Sequence, residues 1–120
     1  MNMDTYTSYI PSKIAIPTSK GAEFIDIKEI VRIEADRSYS MIYLLNGRRL
    51  MVSRCLNEYD SMLSDRNFFR IHNSHLINME QVRVYVRGDG GYIEMNDTSV
   101  VPIARQRKDA FLESMHGLCL

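Results

Sequence analysis

Tyr39-Ser40-Met41-Ile42-Tyr43-Leu44-Leu45 and Arg48-Arg49-Leu50-Met51-Val52 stand on either side of Asn46-Gly47. Asn-Gly readily accepts the positive φ angles of a type I′ turn, so the stretch predicts a β-hairpin. Just upstream, Ile30-Val31-Arg32-Ile33-Glu34-Ala35 alternates apolar and polar residues at the strand period of two, which requires one buried face. Further upstream, Lys13-Ile14-Ala15-Ile16-Pro17 and Ala22-Glu23-Phe24-Ile25 flank the turn cluster Thr18-Ser19-Lys20-Gly21 as a second hairpin, and Asp26-Ile27-Lys28-Glu29 forms one helical turn after it.

Downstream, Ser53 is positioned to cap a helix from about Arg54 to Leu63, with Leu56, Tyr59, Met62 and Leu63 on one face and Tyr59 and Met62 read as core. Phe69-Arg70-Ile71 and Leu76-Ile77 read as extended. Val82, Val84 and Val86 alternate with Arg83, Tyr85 and Arg87 as a clean strand. Gly88-Asp89-Gly90-Gly91 turns the chain, and Tyr92-Ile93-Glu94-Met95 pairs with Ser99-Val100-Val101 around Asn96-Asp97-Thr98. A last helix runs from about Ala104 to Met115, presents Phe111, Leu112 and Met115, and stops at Gly117. The expectation is a mainly β, antiparallel chain with two short helices: a linker over residues 1–12, one domain over 13–116 and a tail over 117–120.

The 120 residues suffice for one hydrophobic core, and 45% hydrophobic with 25% charged residues is a globular mixture. Cys55 and Cys119 have no CxxC or Cys/His spacing, so neither a disulfide framework nor a zinc site is indicated, and a reducing cytoplasm suits the chain. There is no signal-peptide pattern and no run near the ~20 apolar residues that span a bilayer, so no membrane association is expected. Net charge is zero, which argues against a general nucleic-acid coat protein. Charge is nonetheless uneven. From Arg66 to Lys108 there are seven basic residues against four acidic ones, and the whole chain holds eleven arginines against four lysines. Arginine's planar fork suits phosphate and guanine better than a lysine point charge.

Catalytic chemistry finds no foothold, and no cofactor or metal is expected. Gly88-Asp89-Gly90-Gly91 lies between strands with no Gly-Lys-Ser/Thr helix behind it, so it reads as a hairpin tip and not as a phosphate cradle. His72 and His75 are three apart in a segment that is not helical, which is poor metal spacing. No nucleophile, base and orienting group can be assembled, so the chain is not read as an enzyme; a hydrolase working through His72 or His75 has no motif in its favour. A helix-turn-helix is also excluded, because the two helices are separated by strands.

Loops on a rigid sheet can still carry side chains into a major groove ~12 Å wide. Three junctions concentrate the right groups. Arg37-Ser38-Tyr39-Ser40 joins two strands with a cation, hydroxyls and an aromatic tip. Arg70-Ile71-His72-Asn73-Ser74-His75 packs donors and acceptors into six residues, including an amide able to pair with adenine N6 and N7, although His72 equally suits a core role holding the turn. Ala104-Arg105-Gln106-Arg107-Lys108 opens the last helix, where backbone amides and cations together attract phosphate. A β-rich module that binds another protein through an exposed strand edge is the alternative.

These same segments make the chain resemble the LytTR family of bacterial DNA-binding domains. Phe68-Phe69-Arg70-Ile71-His72-Asn73-Ser74-His75-Leu76-Ile77-Asn78 is similar to the family's signature segment. Ile33-Glu34-Ala35-Asp36 with Tyr39, Asn46-Gly47 with Val52-Ser53-Arg54, and Val101-Pro102-Ile103-Ala104-Arg105 follow in the family's order, so that the resemblance covers about residues 13 to 115. It implies an elongated arrangement of several small antiparallel sheets whose loops enter successive grooves of duplex DNA. It also puts Tyr39, Asn73 and Arg105 at base-reading positions. Arg37, Ser38, Ser40, Arg54, Arg70, His72, Ser74, His75, Arg107 and Lys108 are the phosphate-contacting or supporting candidates. Some members carry histidine where this chain has Tyr39 and a basic residue where it has Asn73, so the half-site sequence does not transfer. The resemblance further implies a transcriptional regulator that binds paired DNA repeats as a homodimer, either as the output domain of a two-component response regulator with a receiver or sensor domain upstream, or as a stand-alone regulator set by abundance or a partner.

Overall fold

In the computed structural model, which describes residues 12–115, the central strand is buried from both sides. Strand β3 (Ile30–Asp36) lies in the middle of a five-stranded antiparallel sheet of order β5-β4-β3-β7-β6, built with β4 (Tyr39–Leu44), β5 (Arg49–Val52), β6 (Phe68–His72) and β7 (His75–Asn78). A register shift between Ile30 and Arg32 places a bulge in β3. An extra residue reverses the inside-outside alternation. Ile30 and Ile33, three apart, therefore share one core, while Val31 belongs to the other.

On the first face, Ile33, Ile42, Leu44 and Leu76 pack against Leu56, Tyr59 and Leu63 of helix α1 (Leu56–Leu63). The two-stranded sheet of β1 (Lys13–Thr18) and β2 (Gly21–Asp26) adds Ile14, Ile16 and Ile25 to this core. On the second face, Val31, Ile71 and Ile77 meet a three-stranded sheet, order β10-β9-β8, of β8 (Val82–Val86), β9 (Tyr92–Met95) and β10 (Val100–Pro102). Helix α2 (Lys108–Ser114) closes it with fully buried Phe111, whose ring lies near Phe69 and Tyr85. Stacking three small sheets in this way gives an elongated, flat body of 49 × 38 × 24 Å.

Local chemistry departs from the sequence reading at several points. Gly47 has a φ of +88°, but Asn46 does not share the positive value that a type I′ turn demands. The Gly47 amide donates to the Leu44 carbonyl (3.0 Å), the Leu44 amide donates to the Arg48 carbonyl (2.9 Å), and Asn46 Oδ1 accepts from the Arg48 amide (2.9 Å). This is the three-residue hairpin in which a turn is followed by a left-handed glycine. Ser53 does not cap α1: Cys55 occupies that position with no side-chain cap bond, and the helix begins at Leu56. Met62 is exposed, unlike Tyr59. A register shift between Val82 and Val84 turns Tyr85, in place of Val84, toward the core. The last helix is a 3-10 turn over Arg105–Arg107 followed by α2. The expected linker and tail fall on residues outside those described, apart from Ser12, whose carbonyl accepts from the Ile27 amide (2.8 Å). Among the described residues no helix is long and apolar enough to cross a membrane.

Candidate nucleic-acid interface

Strand register decides which loops share an end of the molecule. Asp36 pairs with Tyr39 at the β3–β4 tip, Glu34 pairs with His75 at the start of β7, and Ser40 pairs with Val52 at the end of β5. Because all neighbours are antiparallel, the β3–β4 tip, the β6–β7 tip and the β5–α1 junction emerge at the same end of the sheet. The Leu45–Arg48 turn and the Met79–Gln81 turn emerge at the opposite end. Two backbone bonds lock neighbouring junctions together: the Ala35 amide to the Ser74 carbonyl (2.9 Å), and the Ala104 amide to the Ile71 carbonyl (3.0 Å).

At the first junction, Arg37 holds a φ of +60°, an uncommon conformation for a residue with a side chain, and is exposed with Ser38. Tyr39 is 50% exposed and shares an open depression with Asp36, Arg37 and Met51. Ser40 is different. It has no solvent exposure, and its hydroxyl donates to the Arg54 carbonyl (2.8 Å), so it ties β4 to the β5–α1 junction and faces no ligand. Arg54 is exposed and paired with Glu58 at 3.2 Å, a surface contact easily exchanged for another anion.

At the second junction, Asn73 is exposed at the β6–β7 tip while its neighbours brace it. The Ser74 amide donates to His72 Nδ1 (3.0 Å). His72 and His75 rings meet edge-on at 5.4 Å. Arg70 does not face outward: its guanidinium donates to the His72 carbonyl (3.1 Å), the Asn73 carbonyl (2.6 Å) and Asn57 Oδ1 (2.9 Å), and pairs with Asp60 (3.5 Å). His75 Nδ1 is buried without a hydrogen-bond partner, 4.0 Å from Glu34 Oε1. Burial holds its pKa below the usual histidine value, Glu34 opposes that shift, and Arg32 and His72 add to it. Arg32 bonds Glu34 at 2.6 Å and Ser99 Oγ at 3.2 Å and lies over the Tyr43 ring at 3.8 Å.

At the third junction, Arg105 is exposed and Lys108 half-buried. They line an open depression with Gly88, Asp89 and Gly91 of the β8–β9 tip. Arg107 points inward, donating Nη1 to the Arg70 carbonyl (3.0 Å), with its Nε buried and unpartnered. The side chains of Arg37, Arg105 and Lys108 make no hydrogen bond or ion pair among the described residues; the one contact between them is backbone, the Lys108 amide donating to the Arg105 carbonyl. Since α2 has only seven residues and starts at Lys108, the attraction here is that of the cations and not of a long helix dipole.

Sequence reading missed Asn57 and Asp60, the anchors of Arg70, and Glu34, the neighbour of His75. Asn57 and Asp60 sit three apart on one face of α1, but nothing near them in sequence names their partner 13 and 10 residues on. The β8–β9 tip was read only as a turn; its closeness to Arg105 arises from sheet packing.

Among the described residues, the β domain gathers exposed polar loops at one end of its five-stranded sheet. The family can be stated. The model of the LytTr DNA-binding domain matches residues 20–116, and the chain belongs to the LytTR family. Its fold is similar to that of the LytTr DNA-binding domain of a Bacillus cereus protein described as a methyl-accepting/DNA response regulator, with a TM-score of 0.75, 88% of this chain and 98% of that chain covered, and 16% identity. It is also 27% identical over 96 residues to the CO-responsive transcriptional regulator RcoM of Rhodospirillum rubrum, over 78% of this chain and 40% of RcoM, so it spans less than half the length of that relative.

Proposed function

We propose that this chain binds duplex DNA with sequence specificity, through loops, as the output domain of a bacterial transcriptional regulator. The observation that supports this best is the gathering of three junctions at one sheet end, each offering an exposed group suited to DNA and joined by the Ala35–Ser74 and Ala104–Ile71 backbone bonds. In this reading Arg105 forks onto guanine O6 and N7, Asn73 pairs with adenine N6 and N7, and Tyr39 contacts the base edge or sugar at the first loop. Arg37, Arg54 and Lys108, with the Ser38 and Ser74 hydroxyls, hold phosphates and set register. Ser40, Arg70, His72, His75 and Arg107 support those loops from behind.

The reading extends to a cytoplasmic protein that binds paired repeats as a homodimer on DNA, controlled by a receiver or sensor domain as in a two-component response regulator. Selecting binding sites from random duplex DNA with the purified chain tests it. Enrichment of a short motif, blurred at one base by Arg105→Ala, is the expected result. Weak binding that only follows salt, with no motif, would count against it and favour the protein-interaction module.

A further inference from the structure

We propose that Arg70 is the positioning residue of this interface: it fixes the Asn73 loop from helix α1, and so makes α1 a determinant of sequence specificity, without touching a phosphate. The inference rests on the DNA reading above and names the device that makes it work.

A guanidinium has five N–H donors in a rigid fork. In Arg70, Nε is spent on the His72 carbonyl, Nη1 on Asn57 Oδ1 and Asp60 Oδ2, and one Nη2 hydrogen on the Asn73 carbonyl. One hydrogen remains. The side chain is 15% exposed, against 44% for Arg54. Reaching a phosphate would break several of these bonds, whereas Arg37, Arg105 and Lys108 reach one at no such loss. The two carbonyls that Arg70 holds flank the peptide carrying Asn73, so the clamp sets where the Asn73 amide points. Its own carbonyl accepts from Arg107 Nη1 (3.0 Å), and the next carbonyl, of Ile71, accepts from the Ala104 amide (3.0 Å). One dipeptide, Arg70-Ile71, thus fixes both the Asn73 tip and the Arg105 junction. A loop ordered before binding loses less entropy on binding, and that gain is confined to the sequence the preset geometry matches.

Asn57 and Asp60 hold the other side of the fork from α1, which packs on the first core through Leu56, Tyr59 and Leu63. Their side chains point at Arg70 from a helix that contributes no reading loop. Asn57 Oδ1 accepts from the guanidinium at 2.9 Å, which gives Asn57 a route to base preference through Arg70.

The test compares the wild-type chain, Arg70→Lys, Arg70→Ala, Asn57→Ala and the double variant of Arg70→Lys with Asn57→Ala. Fluorescence anisotropy is read on the selected duplex and on a scrambled duplex over a salt series, and amide exchange is followed without DNA. Lysine keeps the charge and loses the fork. The expected result is about a tenfold fall in the ratio of specific to non-specific affinity for each single variant, with an unchanged salt slope. The double variant should be no worse than Arg70→Lys, because both act on one clamp. Exchange at Asn73 and Ser74 should quicken in Asn57→Ala, a surface change that leaves the core intact. Full specificity in Arg70→Lys, or a silent Asn57→Ala beside an Arg70→Ala that lowers the salt slope by about one, would overturn the proposal in favour of a phosphate contact. If the wild-type chain selects no sequence while Asn57→Ala still loosens the loop, the DNA reading fails, and with it the role in readout.

Discussion

Replacing Ser40 with alanine removes a hydroxyl that donates to the Arg54 carbonyl at 2.8 Å from a site with no solvent exposure. Stripping a buried acceptor of its donor costs about 1–3 kcal/mol. Arg54 itself is exposed, so water reaches its carbonyl once the donor is gone, which places the expected loss at the lower end, about 1–1.5 kcal/mol. In a chain of 120 residues each kcal/mol lowers the melting midpoint by roughly 4 °C, so Ser40→Ala should melt about 4–6 °C below wild type. Circular-dichroism melts measure that shift. Anisotropy at a temperature where both proteins are fully folded should show the same ratio of specific to non-specific DNA affinity. An unchanged melting point with weakened DNA binding would refute the reasoning, because it would mean that the Ser40 hydroxyl works at the DNA surface and not beneath it.

Arg105→Ala should cost ~1–3 kcal/mol on the selected duplex and relax preference at one base, whereas Lys108→Ala should weaken all sequences alike and reduce the salt slope by about one; binding-site selection and salt titrations separate the two. His75 gives a pH prediction. Burial lowers its pKa in the folded state below the ordinary 6.5, so on acidification the unfolded chain takes up the proton first. The stability from this group is complete above about pH 6.5 and is lost as pH falls below it. Urea unfolding between pH 7.5 and 5 should show a smaller decline in His75→Phe than in wild type, and equal slopes would contradict the assignment.

Much of the fold was legible because it is written in short-range patterns. Period-two runs located the strands, and Asn46-Gly47 located the hairpin even though its turn is of another kind. Bulges were not legible: an extra residue in β3 and another in β8 reverse the alternation with no mark in composition, which is why Tyr85 and not Val84 faces the core. Ser40 was grouped with its loop neighbours as a phosphate-contacting or supporting candidate; it alternates with Tyr39 and Met41 on the face that carries Ile42 and Leu44, and parity already puts it inside. Tyr39, Asn73 and Arg105 stand exposed at junctions that the turn residues had located, whereas the inward turn of Arg70 and Arg107 depends on partners 13 and 37 residues distant and could not be read locally.

The central claim is that one end of the five-stranded sheet meets DNA. Amide chemical-shift mapping of the chain with the selected duplex tests it most directly. The account predicts shifts concentrated at residues 36–39, 73–75 and 104–108, with the Leu45–Arg48 and Met79–Gln81 turns at the far end silent. Shifts centred on that far end, or none with any duplex, would contradict it.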